Sequence, residues 1–152
     1  MGSEFAQNDE WSESAGLQWY LTEFAEHNGV QKTMADLNAI YKSQPALWQK
    51  DTSPEGFSWL VGDDGASNVL AFTRWSDDGK PLVCITNFSP VPHENYSLPL
   101  PTAGVWREIL NTDAVAYGGS GIANDSFAVD IDTALKRSFR IPPLSTVWLE
   151  RV

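Results

Sequence analysis

The feature that most constrains the fold is a change in the spacing of apolar residues near residue 53. Before this point, Val30, Met34, Leu37 and Tyr41 recur with the 3.6-residue period of one helix face. After it, short segments alternate between apolar and polar residues and are separated by turn signals. The sequence therefore predicts one helix followed by an all-β region with no second helix.

The helix is predicted over residues 28–43. Asn28 is a suitable N-cap, Lys42 places a cation near the helix C-terminus, and Pro45 limits further helix. The turn-rich stretch 51–56 follows and is the best candidate for a domain boundary. We therefore divide the chain into residues 1–52 and 53–152.

The second part is predicted to contain eight short strands. Their spacing and the turns between them are typical of an antiparallel β-sandwich, so the expected fold class is mainly β. The predicted strands cover residues 57–61, 68–75, 82–88, 96–100, 105–110, 127–131, 139–141 and 146–149.

The net charge of −10 argues against two classes of partner. It repels nucleic acids and anionic membrane surfaces, and the sequence has no basic stripe that would offer a local exception. Residues 1–26 contain six acids and no Lys or Arg. This acidic opening is either a solvated loop or a loop near a polar, neutral substrate such as a sugar.

The single cysteine, Cys84, lies in an apolar run and is predicted to be a buried, inert thiol. One thiol in such a position is consistent with a cytoplasmic protein. His27 and His93 are far apart in the sequence, and we interpret His27 as a capping or packing residue. No metal site and no cofactor are therefore predicted.

The acidic residues do not suggest a catalytic pair. Most of them lie in predicted turns or in the acidic opening, whereas glycosidic chemistry needs two carboxyl groups on a rigid scaffold. The glycine-rich run 117–121 lacks the lysine and the following helix that a phosphate-binding loop requires. No catalytic residue is predicted.

Several short motifs occur in a specific order and spacing. The most specific are REILNTD at 107–113 and YGGSG at 117–121, and the others lie at 1–7, 10–11, 17–19, 27–31, 36–38, 45–47, 56–59, 87–92 and 142–144. Together they make the chain resemble the C-terminal end of bacterial 1,4-α-glucan (glycogen) branching enzymes of the α-amylase superfamily. The resemblance covers essentially the whole chain.

The resemblance implies an origin for each part of the chain. Residues 1–52 would be the end of a catalytic (β/α)₈ barrel, with the end of its last strand, a loop and its last helix, and residues 53–152 would be the C-terminal β-sandwich. The parent enzyme would transfer glucan segments to form α-1,6 branches in glycogen. The catalytic acids of such enzymes lie upstream of the matching region, so the chain alone is expected to be inactive and structural.

The resemblance also suggests where α-glucan would make contact. Gln7 and Trp11 match positions on the rim of the active-site face, and Gln18 stands where family members commonly have Asp. A different hypothesis is a carbohydrate-binding module, in which Trp75 or Trp106 would stack on sugars. The tail of another amylase-superfamily hydrolase is a third alternative.

Self-association is expected if the chain exists without a barrel. Leu17, Trp19, Phe24 and the apolar helix stripe would then lose most of their packing partners. The sequence therefore predicts an apolar face that is covered either by a second copy or by a rearranged helix.

Overall fold

The computed structural model describes residues 1–125, 127–129 and 136–152. Within these ranges, one α-helix, α1 (Ala25–Ser43), precedes eight strands. Short 3₁₀ turns occupy Ser3–Phe5, Trp19–Glu23, Pro45–Leu47, Pro54–Gly56 and Val115–Tyr117. Helix α1 begins three residues before the predicted start, and Phe24 rather than Asn28 occupies the N-cap position, without a side-chain capping bond.

The eight strands form two antiparallel sheets. The larger sheet has six strands in the order β1-β2-β3-β8-β5-β6, and β4 pairs with β7 in a second, two-stranded sheet. The strands are β1 (Phe57–Asp64), β2 (Val69–Trp75), β3 (Pro81–Asn87), β4 (His93–Pro99), β5 (Gly104–Asn111), β6 (Phe127–Val129), β7 (Lys136–Ile141) and β8 (Ser145–Arg151). The mainly β fold class is confirmed, while residues 130–131 of the sixth predicted strand lie outside the described residues.

The core lies between the two sheets. Ala71, Ile85 and Val147 are cross-strand neighbours on the inner face of the larger sheet, and all three are fully buried. Leu98 and Ile141 cover them from the smaller sheet. Because side chains alternate along a strand, the residues between these positions form an outer face.

Packing on the outer face explains why β3 is almost entirely apolar. Phe72, Cys84 and Trp148 are cross-strand neighbours there, and the 3₁₀ turn Pro45–Leu47 contacts β2 and β3. Strand β3 is thus covered on both faces, as its continuous apolar run indicates. Burial raises the pKa of the Cys84 thiol to about 11, which agrees with the predicted inert cysteine.

A buried asparagine ties two loops together at one end of the sandwich. Asn87 is 1% exposed, and its amide nitrogen donates to the carbonyl oxygens of Val91 (3.0 Å) and Pro142 (2.9 Å). Its side-chain oxygen accepts the backbone N–H of Ser89. The Asn87 side chain itself is buried, so these bonds offset the desolvation of its amide.

Helix α1 contacts the β domain through the loop that follows β5. The Tyr117 carbonyl lies so close to Gly29 that a Cβ atom at position 29 would overlap it. The Tyr117 hydroxyl also donates to the Asp36 carboxylate at 2.5 Å, and burial together with this bond raises the pKa of Tyr117 to about 12. Gly29 is the one helix residue that is fully buried, and the predicted apolar stripe is only partly covered.

Asp113 holds this loop in shape. Its carboxylate accepts the backbone N–H of Ser120 (2.9 Å), the Ser120 hydroxyl (2.6 Å) and the backbone N–H of Ile122 (3.2 Å). The carboxylate is almost completely buried, so these bonds are charge-assisted and shielded from water. The loop therefore presents Tyr117 to the helix as a preformed surface.

We expect Gly29→Ala to destabilise the chain by about 1–2 kcal/mol, because overlap with Tyr117 outweighs the gain in helix propensity. Urea unfolding measures this change. Gly16→Ala is the matched control, since no atom lies within contact of an added Cβ there and its effect should stay within about 0.5 kcal/mol. A Gly29→Ala variant more stable than the wild type would contradict the close helix contact.

Candidate functional site

The opening loop, residues 7–18, is organised by two glutamine side chains. The Gln7 amide nitrogen donates to the Asp9 carbonyl oxygen at 3.1 Å, and its oxygen accepts the backbone N–H of Gln18 at 3.0 Å. The Gln18 amide nitrogen donates to the Asp9 carboxylate at 2.5 Å. Gln7 thus closes the loop on itself, and in this conformation both ends of its amide are already bonded.

Gln7 and Trp11 line the same small cavity inside the opening loop. Its volume is about 80 Å³, well below the roughly 300 Å³ of typical small-molecule pockets. The oxygen of Gln18 is buried without a hydrogen-bond partner in the described chain. The Trp11 ring is 52% exposed. The loop can therefore present an aromatic surface, but it does not enclose a sugar.

Phe5, just before the opening loop, contacts both the 3₁₀ turn that follows the loop and helix α1. Phe5 is fully buried, and its ring lies 5.0 Å from that of Trp19, measured between centroids. His27 Nδ1 lies 2.9 Å from the Phe5 carbonyl oxygen, so this histidine has the packing role expected for it. The opening loop and the start of α1 therefore form one unit.

The two strand tryptophans differ in accessibility. Trp106 is fully buried in the core, where its indole N–H donates to the Thr102 carbonyl oxygen at 3.2 Å. Trp106 exposes no ring face on which a sugar could stack, so it is not proposed as a contact residue. Trp75 is half-buried, and its indole N–H donates to the Ser58 hydroxyl at 2.9 Å.

The outer face carries a cluster of three aromatic rings that the sequence did not predict. We call this cluster, formed by Phe57, Trp59 and Phe72, the aromatic strip. The Phe57 ring centroid lies 5.0 Å from that of Trp59, edge to face, and 5.3 Å from that of Phe72. Trp59 is 58% exposed, and the missing side chain at Gly62 leaves part of its ring uncovered. The alternation of Phe57 and Trp59 along β1 was the available signal.

The perturbed carboxyl groups do not have the properties of a general acid. The pKa values of Glu55, Asp64 and Asp78 are all lowered, chiefly because each carboxylate accepts a side-chain hydroxyl bond, from Ser53, Tyr96 and Ser76 respectively. A catalytic acid needs a raised pKa to hold its proton near neutral pH. These acids therefore stabilise turns and loops.

Two absences among the described residues bear on the class of site. Within the described ranges, no three His, Cys, Asp or Glu side chains are grouped as a metal site would require. No helix in the part of the chain that the structure covers is both long and apolar enough to cross a membrane.

Comparison with known proteins gives the family. Residues 59–152 match the model of the alpha amylase C-terminal all-beta domain. The 1,4-alpha-glucan branching enzyme GlgB of Mesorhizobium japonicum is 50% identical over 154 residues, covering the whole chain and 21% of that protein. The enzyme of the same name from Thermobifida fusca is 55% identical over 98% of the chain and 21% of its own length.

The solved structures agree on the fold. A pullulanase from group B Streptococcus has a TM-score of 0.56 at 16% identity, covering 89% of this chain and 18% of the pullulanase. The chain spans about a fifth of the length of the two branching enzymes that it matches. It belongs to the family of alpha-amylase C-terminal all-beta domains and matches the C-terminal region of 1,4-alpha-glucan branching enzymes over its whole length.

Proposed function

We propose that the chain is the non-catalytic, C-terminal part of a cytoplasmic 1,4-α-glucan branching enzyme, which forms α-1,6 branches in glycogen. One observation carries this proposal: relatives that bear the enzyme's name are 50% identical across the whole chain, through the opening loop and helix as well as the β domain.

The structural role that we propose is support of the last barrel helix. Residues 1–52 are the end of the catalytic barrel in this proposal, and residues 53–152 are the domain that holds it. The Gly29–Tyr117 contact fixes one half of α1. Beyond its other end, Gln44 donates to Glu150 at 2.5 Å, and Asp51 pairs with Arg74. Contacts at both ends favour a fixed helix orientation over a flexible tether.

The branching reaction provides the direct test. We expect the purified chain to leave the iodine complex of amylose unchanged, because the proposal places the bond-breaking carboxyl groups on preceding polypeptide. The longer protein encoded by the same gene should shift the iodine absorbance. Turnover by the chain alone, or a longer protein without branching activity, would contradict the proposal.

We also propose that the chain self-associates when it is isolated. Trp19, Tyr20 and Phe24 are each more than half exposed next to the start of α1, so they form an apolar face of the kind that interfaces cover. Sedimentation should show a mass that increases with concentration, and Phe24→Ser should reduce this increase. Val115→Ser, at an exposed site on the β domain, is the control. A monomer at all concentrations would refute self-association.

A second candidate function is α-glucan binding through the aromatic strip and the exposed Trp11. Sugar rings present apolar C–H faces that pack on exposed aromatic rings, and Trp59 has the most exposed ring in the strip. Neighbouring rings hold it edge to face, so its orientation is set before any ligand arrives. This function adds to the supporting role and requires no catalytic residue.

Affinity electrophoresis in glycogen-containing gels tests the aromatic strip. Trp59→Ala should weaken retardation by about tenfold, as expected for the loss of one central aromatic contact. Trp75→Ala tests the half-buried candidate from sequence analysis, and we expect a smaller effect. Phe88→Ala removes an exposed ring outside the strip and is the control. Equal retardation of Trp59→Ala and wild type would argue against this site.

A further inference from the structure

A polar cleft lies where the C-terminal end of α1 meets the larger sheet, and we call it the seam cleft. Its volume is about 480 Å³, within the range of roughly 300–1,000 Å³ that small-molecule sites occupy. Its polar walls contain Gln44, Asp78, Lys80, Arg107, Glu150 and Arg151. None of these residues belongs to the opening loop or to the aromatic strip.

Glu150 organises one wall of the seam cleft. Its carboxylate accepts the Gln44 amide N–H at 2.5 Å and the Arg107 guanidinium N–H at 2.5 Å. The Glu150 side chain is only 16% exposed, whereas that of Arg107 is 55% exposed, so water screens the bond to Gln44 less than the pair with Arg107. The Gln44 amide and the Glu150 carboxylate are therefore held in place before a ligand binds.

The cleft also contains a second charge pair and a cation that has no ion-pair partner among the described residues. Lys80 pairs with Asp78 at 3.0 Å, and Asp78 also accepts the Ser76 hydroxyl. Arg151 forms no ion pair with any residue that the structure describes. The walls therefore combine three cationic side chains with two carboxylates.

The charges on the walls of the cleft limit the ligands that fit. The two carboxylates disfavour an anionic ligand such as phosphate. The guanidinium and ammonium groups disfavour a cation. The remaining ligand is neutral and must both donate and accept hydrogen bonds.

Vicinal hydroxyl groups fit this requirement, because each hydroxyl donates one hydrogen bond and accepts others. We propose that the seam cleft binds a segment of α-glucan, with Glu150 and Asp78 accepting sugar hydroxyls and Arg107 and Arg151 donating to them. The choice of glucan among polyhydroxyl ligands rests on the proposed function. Pro45 and Pro81 provide apolar wall surface for the C–H groups of the sugar.

Nuclear magnetic resonance titration of the ¹⁵N-labelled chain with maltohexaose tests the proposal, because it reports each site separately. We expect saturable shifts of the Gln44, Lys80 and Arg107 backbone amides. Arg151→Ala should raise the dissociation constant at these signals about tenfold, the effect of losing one charge-assisted bond. Ser43→Trp should obstruct the cleft from its exposed rim, and Lys32→Ala, on the exposed surface of α1 outside the cleft, is the control.

Several outcomes would overturn the glucan assignment. In the first, maltohexaose shifts only amide signals of the aromatic strip. In the second, it shifts the cleft signals of Ser43→Trp as much as those of the wild type. In the third, inorganic phosphate saturates the cleft signals while maltohexaose has no effect on them. Unchanged thermal melting of both variants shows that any lost binding does not reflect unfolding. Failure here leaves the proposed function intact, since branching by the longer protein is measured separately.

Discussion

The arrangement of helix and β domain depends on one close backbone contact. Gly29 and the Tyr117 carbonyl can approach because position 29 has no side chain, and the loop that carries Tyr117 has its shape because Asp113 is buried with three donors. Losing the Asp113 carboxylate would remove the acceptor of the Ser120 and Ile122 backbone N–H groups and so loosen the loop. A polar interaction within the β domain therefore determines where the helix lies.

The fold could be predicted from the sequence where the burial of a strand leaves a simple pattern of apolar residues. Strand β3 was recognisable because both of its faces are covered, and β2 because its apolar residues alternate. The start of α1 was placed wrongly because Asn28 has the right residue type for a cap, yet the helix begins after Phe24 with no side-chain cap at all. Strand β4 begins at His93, where Pro92 and the neighbouring polar residues masked it.

The accessibility of the tryptophans could not be predicted from the sequence. Trp59 and Trp106 both lie in short strands with mixed neighbours, but one is 58% exposed and the other is fully buried. The difference comes from the face of the sheet that each ring occupies and from sheet order: Trp106 lies on the inner face against the core, whereas Trp59 lies on the outer face of the edge strand β1. Strand order depends on pairing across long sequence distances, and local periodicity carries no information about it. Gln7 and Trp11 do lie together, because one short loop contains both residues.

The buried amide of Asn87 has a consequence for glycosylation of the chain. Asn87, Phe88 and Ser89 form an N-glycosylation acceptor triplet. The nitrogen that would receive the glycan is the one that donates to Val91 and Pro142 inside the protein. A glycan attached during synthesis would have to remain outside while that nitrogen moved into the interior. Glycosylation at this triplet and native folding are therefore mutually exclusive.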